Sequence, residues 1–283
     1  MTKAALFSSR AVLRVSGPDA RAFLQGVVTQ DIEPLAPGEA AFSALLTPQG
    51  KILFDFILVA DAESFLLDCD RAGAEALEKR LALYRLRAKV TIAREADFAV
   101  AALWDGAAPS EGGGASLFPD PRLAALGWRI IGKADGLAGL AGAGAVDGEA
   151  AYDAHRMALG VPEFGKDFAS DEVFLLDVDY DALHGVSYKK GCFVGQEVTS
   201  RMKRKGDIRK RTVKLAFDGA PPVKGAAVGA GDSTLGEVLS GGEGAALALI
   251  RLDRLETART SGARLEAAGK PVQIVFPDWL KQV

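Results

Sequence analysis

Lys190-Gly191-Cys192-Phe193-Val194-Gly195-Gln196-Glu197 is the densest run of chemistry in this sequence. Its cysteine follows a pair of lysines, Lys189 and Lys190, and positive charge beside a thiol favours the thiolate. A lone cysteine is commonly a buried, inert core residue, whereas lysine seldom borders a fully buried site, so the residues leave a reactive Cys192 and an inert one both open. Gly191 and Gly195 let the backbone turn or approach a ligand closely. Gln196 and Glu197 bring an amide and a carboxylate to the start of a helical turn. Between Lys189 and Lys214 ten cations face only Glu197 and Asp207, a local net of +8 in a chain of net −3, leaving −11 elsewhere. A field of one sign confined to one segment predicts an anionic ligand or partner beside it; a solvated basic loop is the bland alternative.

Around that segment the bulk properties exclude several classes. The chain has 283 residues, 49% hydrophobic and 25% charged, close to the length at which one core stops growing, so two or three substructures are expected. No apolar run approaches a membrane span, and Met1 to Ser8 lacks the apolar stretch of a secretory signal. Cys69 and Cys192 are the only cysteines. That is too few for a disulfide scaffold or a four-cysteine cluster site, and a reducing, cytoplasmic location is the default expectation. His155 and His184 read as structural or solvent-facing, and no metal site is expected. No segment fits a P-loop, and Gly142 to Asp147 misses the dinucleotide fingerprint, having neither its third glycine nor a leading strand.

Period and turn chemistry give the organisation. Ala11 to Val15 reads as a strand. Ser16, Pro18 and Asp19 have capping-box spacing for a helix whose apolar stripe is Phe23, Leu24, Val27 and Val28. Phe42 to Leu46, the turn Thr47-Pro48-Gln49-Gly50, and Ile52 to Val59 read as strand, turn, strand. Ser64 to Leu67 is another strand, followed by a helix from Arg71 to Leu86. Gly112-Gly113-Gly114 marks a loop, and Gly136 to Gly148 has no regular period. A helix from Glu149 to Leu159 stops at Gly160 and Pro162. From Arg211 the texture is all-β, with turns such as Gly241-Gly242-Glu243-Gly244 and a last strand at Val272 to Phe276. The boundary falls near Ile208, giving an α/β region over 1–208 and a β-barrel over 209–283.

The segment Lys190 to Glu197 resembles the Lys-Gly-Cys-aromatic-x-Gly-Gln-Glu signature of the YgfZ family, which includes mitochondrial relatives in iron–sulfur assembly. Three further stretches resemble the same family: Phe23 to Ile32, Leu46 to Asp55, and Arg156 with Gly160-Val161-Pro162-Glu163. Gly206 to Arg211 matches its basic exit from the cysteine segment. The resemblance implies an α+β, aminomethyltransferase-like folate-binding fold of two mixed substructures and a C-terminal β-barrel. It implies a tetrahydrofolate-binding accessory factor in assembly, maintenance or repair of iron–sulfur enzymes, with iron–sulfur proteins or their assembly factors as partners. Cys192 and Lys190 would carry the chemistry. Asp55, Gln49, Arg156, Gly195, Gln196, Glu197 and Arg201 would contact tetrahydrofolate or a derivative, the cations meeting its glutamate tail. One position departs: Ala158 stands where folate-binding relatives carry a glutamate. A lost charged acceptor costs on the order of 1.5–3 kcal/mol, with Glu163 or Asp167 as the expected substitutes. A one-carbon transferase is the alternative reading. A nucleic-acid module is a weaker one, because the basic run lacks interleaved aromatics and the chain is acidic overall.

Overall fold

The computed structural model describes residues 2–106, 114–137, 148–206, 208–242 and 244–280. The expected loop at Gly112-Gly113, the Gly/Ala-rich stretch 138–147, Asp207, and Glu243 of the C-terminal turn lie outside those residues. The chain divides into two compact units: Met1–Tyr152 with Leu183–Gln196, and Asp153–Ala182 with Glu197–Val283. No described helix is long and apolar enough to cross a membrane.

The first unit runs β1 (Lys3–Phe7), β2 (Arg10–Ser16), α1 (Ala20–Val27), β3 (Ala40–Leu46), β4 (Ile52–Asp61) and β5 (Ser64–Asp70). It continues through α2 (Ala74–Tyr84), β6 (Thr91–Arg94), β7 (Phe98–Trp104), β8 (Ser116–Pro119) and β9 (Trp128–Lys133). Two antiparallel sheets result, with strand orders β3-β4-β5-β2-β6 and β1-β7-β9-β8. Strand β4 is apolar at almost every position because both its faces are covered. Phe54, Phe56, Leu58 and Ala60 pack with Phe23, Leu24 and Val27 of α1 and Leu77 and Leu81 of α2. Ile57 and Val59, on the alternate positions, are buried on the other face.

Helix α1 begins three residues later than the capping-box spacing predicts. Ser16 is consumed as the last residue of β2, paired with Ser64 and Thr91. Gly17 then turns the chain at φ +112°, and a Cβ there would sit 2.4 Å from the Lys89 carbonyl oxygen. Asp19 takes the N-cap position, but its carboxylate accepts from the Lys89 backbone N–H at 2.7 Å instead of from the helix. Tertiary pairing has overridden a local signal.

Helix α3 (Gly148–Leu159) leads into the second unit. It ends at Gly160, φ +81°, where a Cβ would meet Pro277 at 2.5 Å. After α4 (Gln196–Lys205) come β10 (Lys210–Ala216), β11 (Ala227–Ala230), β12 (Ser233–Gly242), β13 (Ala245–Arg251), α5 (Leu252–Ser261), β14 (Leu265–Ala267), β15 (Lys270–Pro271) and β16 (Gln273–Val275). The strands form a nearly closed antiparallel barrel in the order β15-β14-β11-β12-β13-β10-β16. Val213, Leu215, Val228, Leu235, Val238, Ala248 and Ile250 fill it. Helix α5 corrects the all-β reading of this region: Leu255 and Ala258 join the barrel core, and Gly262, left-handed at φ +67°, ends the helix.

Residues 161–182 contain no named helix or strand, and two buried arginines organise them. Arg156 donates to the Val161 carbonyl at 3.0 Å, Asp167 at 2.5 Å and Asp153 at 2.6 Å. Arg211, on β10, donates to the Leu176 carbonyl at 3.1 Å, to Asp179 at 3.2 Å and to Asp181 at 2.6 Å. Irregular backbone leaves buried polar groups that sheets and helices would otherwise satisfy; the guanidinium's five donors meet that need.

A third arginine cluster joins the two sheets of the first unit. Asp68 on β5 accepts from Arg10 at 2.6 Å and from Arg129 on β9 at 3.3 Å. Asp120 accepts from Arg122 at 2.8 Å and Arg129 at 3.2 Å. Burial alone would raise the Asp120 carboxyl, but Arg122 and Arg129 overcome it and hold Asp120 well below the usual carboxylate range. A depressed folded-state value contributes stability that is present above the unfolded value of about 4 and is lost as pH falls below it. Asp120→Asn is therefore expected to cost about 3–5 kcal/mol at neutral pH, since it leaves buried guanidinium charge uncompensated. The gap to wild type should shrink below about pH 4; urea unfolding at several pH values measures both.

Candidate functional site

Lys190 to Gln196 of the cysteine segment belong to the first unit, where the other two family-like stretches of that unit meet them. Lys190 is 7% exposed. Its Nζ donates to three backbone carbonyls, Gln25 at 2.7 Å, Val28 at 2.7 Å and Gln30 at 3.0 Å. Gln25 lies in the last turn of α1 and Val28 is its C-cap. The ammonium therefore covers carbonyls that have no partner within the helix, at the end where the helix dipole favours a cation. It also lies 5.5 Å from the Phe193 ring centroid. Burial pulls the Lys190 ammonium down to about 8, against the opposing pull of Asp31 and Glu33.

Thr29 adds a second set of stitches. Its hydroxyl donates to the Gly185 carbonyl at 2.6 Å and accepts from the Ala44 N–H at 2.8 Å, and its own carbonyl accepts from Ser187 N–H at 3.0 Å. His184, at φ +58°, gives its carbonyl to the Gln30 side chain. Gly195 makes the third contact. At φ +79° it lies so close to the Thr47-Pro48-Gln49-Gly50 turn that a Cβ would sit 2.6 Å from the Thr47 oxygen. That turn closes as its residues predict, through Gly50 N–H to the Thr47 carbonyl at 2.9 Å. The glycine of the motif is thus a packing requirement, and it brings the Gln49 turn against the cysteine loop.

On this anchored loop the side chains alternate in exposure. Lys190 and Phe193 are buried, whereas Lys189, Gly191 and Cys192 are exposed. The thiol faces solvent although its lysine neighbour does not. The charge argument for Lys190 needs correcting in mechanism, because its ammonium is directed at carbonyls. The exposed flank is held by Lys189. Cys69 is the opposite case: it is buried, its Sγ is 3.6 Å from the Ala11 carbonyl, and burial pushes its thiol up to about 12.

The remaining sequence-derived residues are dispersed. Asp55 lies on β4 directly across from Ala44 and is buried. Gln49 is exposed at its turn, and Gln196 opens α4 with its backbone N–H on the Phe193 carbonyl at 3.2 Å. Glu197 and Arg201 belong to the second unit and pair with each other at 2.6 Å on the exposed face of α4. Arg156 is fully buried and engaged by Asp153 and Asp167. Asp167, an expected substitute for the missing glutamate, is committed twice, to Arg156 and to the Glu163 N–H at 2.7 Å. Glu163 sits 3.5 Å from Arg156, and Ala158 is exposed. Among the described residues no three His, Cys, Asp or Glu side chains stand together as a metal-ligand set. Sequence reasoning missed Thr29, which bonds Gly185 156 residues on, and Arg211, which bonds Asp179 and Asp181 32 and 30 residues back; only the family-like spelling of their segments flagged them.

Comparisons with known proteins agree with this architecture. Residues 3–104 match the GCVT N-terminal domain family, and residues 209–282 match the CAF17 C-terminal beta-barrel domain. The crystal structure of glycine cleavage system aminomethyltransferase T from Bartonella henselae superposes with a TM-score of 0.74 at 20% identity, over 99% of this chain and 87% of that one. That likeness establishes the aminomethyltransferase-like fold. The human mitochondrial iron–sulfur cluster assembly factor IBA57 is 34% identical over 95% of this chain and 83% of its own length. The mouse protein is 33% identical over the same shares. A Neurospora crassa homologue is 32% identical over 76% of this chain and 54% of its own. These relatives are named as mitochondrial, which overturns the cytoplasmic location read from cysteine usage; scarce cysteines report a reducing environment and not an address. With matches spanning nearly its whole length, the chain belongs to the YgfZ/GcvT superfamily, within the family of the iron–sulfur cluster assembly factor IBA57.

Proposed function

We propose that this chain is an accessory factor in assembly, maintenance or repair of iron–sulfur enzymes, with Cys192 as its working thiol and tetrahydrofolate or a derivative as its ligand. The observation that carries the reading is an exposed thiol on a loop fixed from beneath by Lys190 and Gly195. Such a thiol keeps its position while a partner approaches. On losing its proton it can donate a sulfur lone pair to an iron atom. One cysteine supplies one ligand, so the other ligands of any cluster it touches belong to the partner, an iron–sulfur protein or assembly factor. The human and mouse relatives, named as iron–sulfur cluster assembly factors, support that choice.

Support for folate comes from the aminomethyltransferase-like fold and from two kinds of group. Asp55 is a buried carboxylate of the sort that accepts pterin N–H groups, while Lys189 is an exposed cation suited to the glutamate tail. Gln49 and Gln196 add amides at the Gly195 turn.

In a strain lacking the chain, Cys192→Ala should restore little activity of cluster-containing enzymes and Cys69→Ala should restore it fully. Equal rescue by the two would sink the thiol reading. By titration calorimetry, Asp55→Asn should weaken tetrahydrofolate binding roughly tenfold, the cost of one charged hydrogen bond; unchanged affinity would remove Asp55 from the site. A glycine-cleavage assay with lipoylated carrier protein should show no robust turnover, separating this chain from the one-carbon transferases. Lys190→Met should lower stability by about 3 kcal/mol by leaving three carbonyls without a donor. Lys190→Arg should not rescue it, because a planar fork cannot meet three convergent acceptors. A Lys190→Met protein that melts like wild type but fails complementation would instead put Lys190 in the chemistry.

A further inference from the structure

We infer that the end of α2 and the turn after it, Leu83 to Lys89, form a docking surface for an acidic protein partner that offers an apolar socket. Helix α2 buries Ala74, Leu77 and Leu81 and leaves Leu83 on its other side, 69% exposed. Leu86, at the apex of the turn, is 88% exposed. Single surface leucines need no explanation, but two leucines three residues apart at one protruding corner form a compact apolar anchor. Leu86 also sits at φ +44°, in the left-handed region that leucine rarely adopts.

The turn is held in that shape from both sides. Ala88 N–H bonds the Arg85 carbonyl at 2.8 Å. Lys89 N–H bonds the Asp19 carboxylate at 2.7 Å. Gly17 lies under the Lys89 carbonyl so closely that no side chain fits there. The two leucines are thus presented on ordered backbone, which lowers the entropy a partner must remove on binding.

Charge selects the partner. Arg80, Arg85, Arg87 and Lys89 are exposed around the leucines, and among the described residues none of their side chains has a carboxylate within ion-pair range. The neighbouring acids are engaged elsewhere: Glu75 pairs with Lys79, Glu78 with Arg94, and Asp19 with the Lys89 backbone. Four unneutralised cations in a chain of net −3 steer an acidic surface. The two leucines would seat in its apolar socket. Nucleic acid fits less well, since no exposed aromatic ring stands here for base stacking. A bilayer fits less well too, since two leucines give too small an apolar face to hold one.

A photo-crosslinking residue in place of Leu86, in the full chain and in its native cell, tests this by mass spectrometry of the adducts. The expected adduct is a protein, joined through a segment of net negative charge. Its yield should fall about tenfold with Arg85→Glu/Arg87→Glu, the effect of removing a hot-spot contact. Placing the crosslinker at Leu83 allows Leu86→Gly to be examined. Glycine accepts φ +44° freely, so that variant should melt at or above the wild-type temperature and still lose the adduct about tenfold. A lower melting temperature would mean that Leu86 serves the fold, and would overturn the inference. Adducts that charge reversal leaves unchanged would also overturn it, as would adducts to RNA, or co-sedimentation of the chain with phosphatidylglycerol vesicles that the glutamate pair abolishes. Cys192→Ala should leave the Leu86 adduct in place, which keeps this inference separate from the thiol reading.

Discussion

The ammonium of Lys190 lies where the carbonyls of Gln25, Val28 and Gln30 converge at the end of α1. A lysine has three donors and no acceptor, and here each donor has a backbone oxygen. The interaction satisfies a buried helix end, fixes the loop carrying Cys192 and joins segments about 160 residues apart in the chain. Removing it would leave buried acceptors unmet and free the loop together. The exposure of Cys192 depends on it too. With Lys190 and Phe193 drawn inward, the residues between and before them face solvent.

The same economy recurs with arginine. Arg129 with Asp68 and Asp120 ties two sheets, Arg156 gathers residues 153–167, and Arg211 holds 176–181 against the first barrel strand. Each hub serves backbone or carboxylates that neighbouring segments leave inside. These contacts are weak evidence of net stability, because desolvation offsets much of the attraction. Their effect is geometric: they fix where irregular chain runs, and losing one partner leaves a buried charge behind.

Local pattern made much of the fold legible. The stripe Phe23, Leu24, Val27, the Thr47 to Gly50 turn, the strand from Ile52, and the stop at Gly160 each follow from interactions within a few residues. Where local and long-range demands competed, the long-range one prevailed. Ser16 had the spacing of a cap and became the end of a strand because Ser64 and Thr91 were there to pair with it. Helix α5 was hidden among strands because only its Leu255 and Ala258 face the barrel core.

For the site, the sequence by itself determined the family, the glycine-framed cysteine loop and the candidate residues, since a motif is a string and needs no third dimension. Tertiary structure alone decided what those residues do for one another. Lys190 reads in sequence as a charge beside a thiol, and in space it is a donor to the end of α1. Gly195 reads as flexibility, and in space it is the one residue small enough to lie against the Thr47 carbonyl. Arg156 and Asp167 read as ligand contacts, and in space they also hold each other. The reason is common to all three. Hydrogen bonds and close packing act across a few ångströms, while the partners here are 11 to about 165 residues apart in the chain, so no local spacing records them.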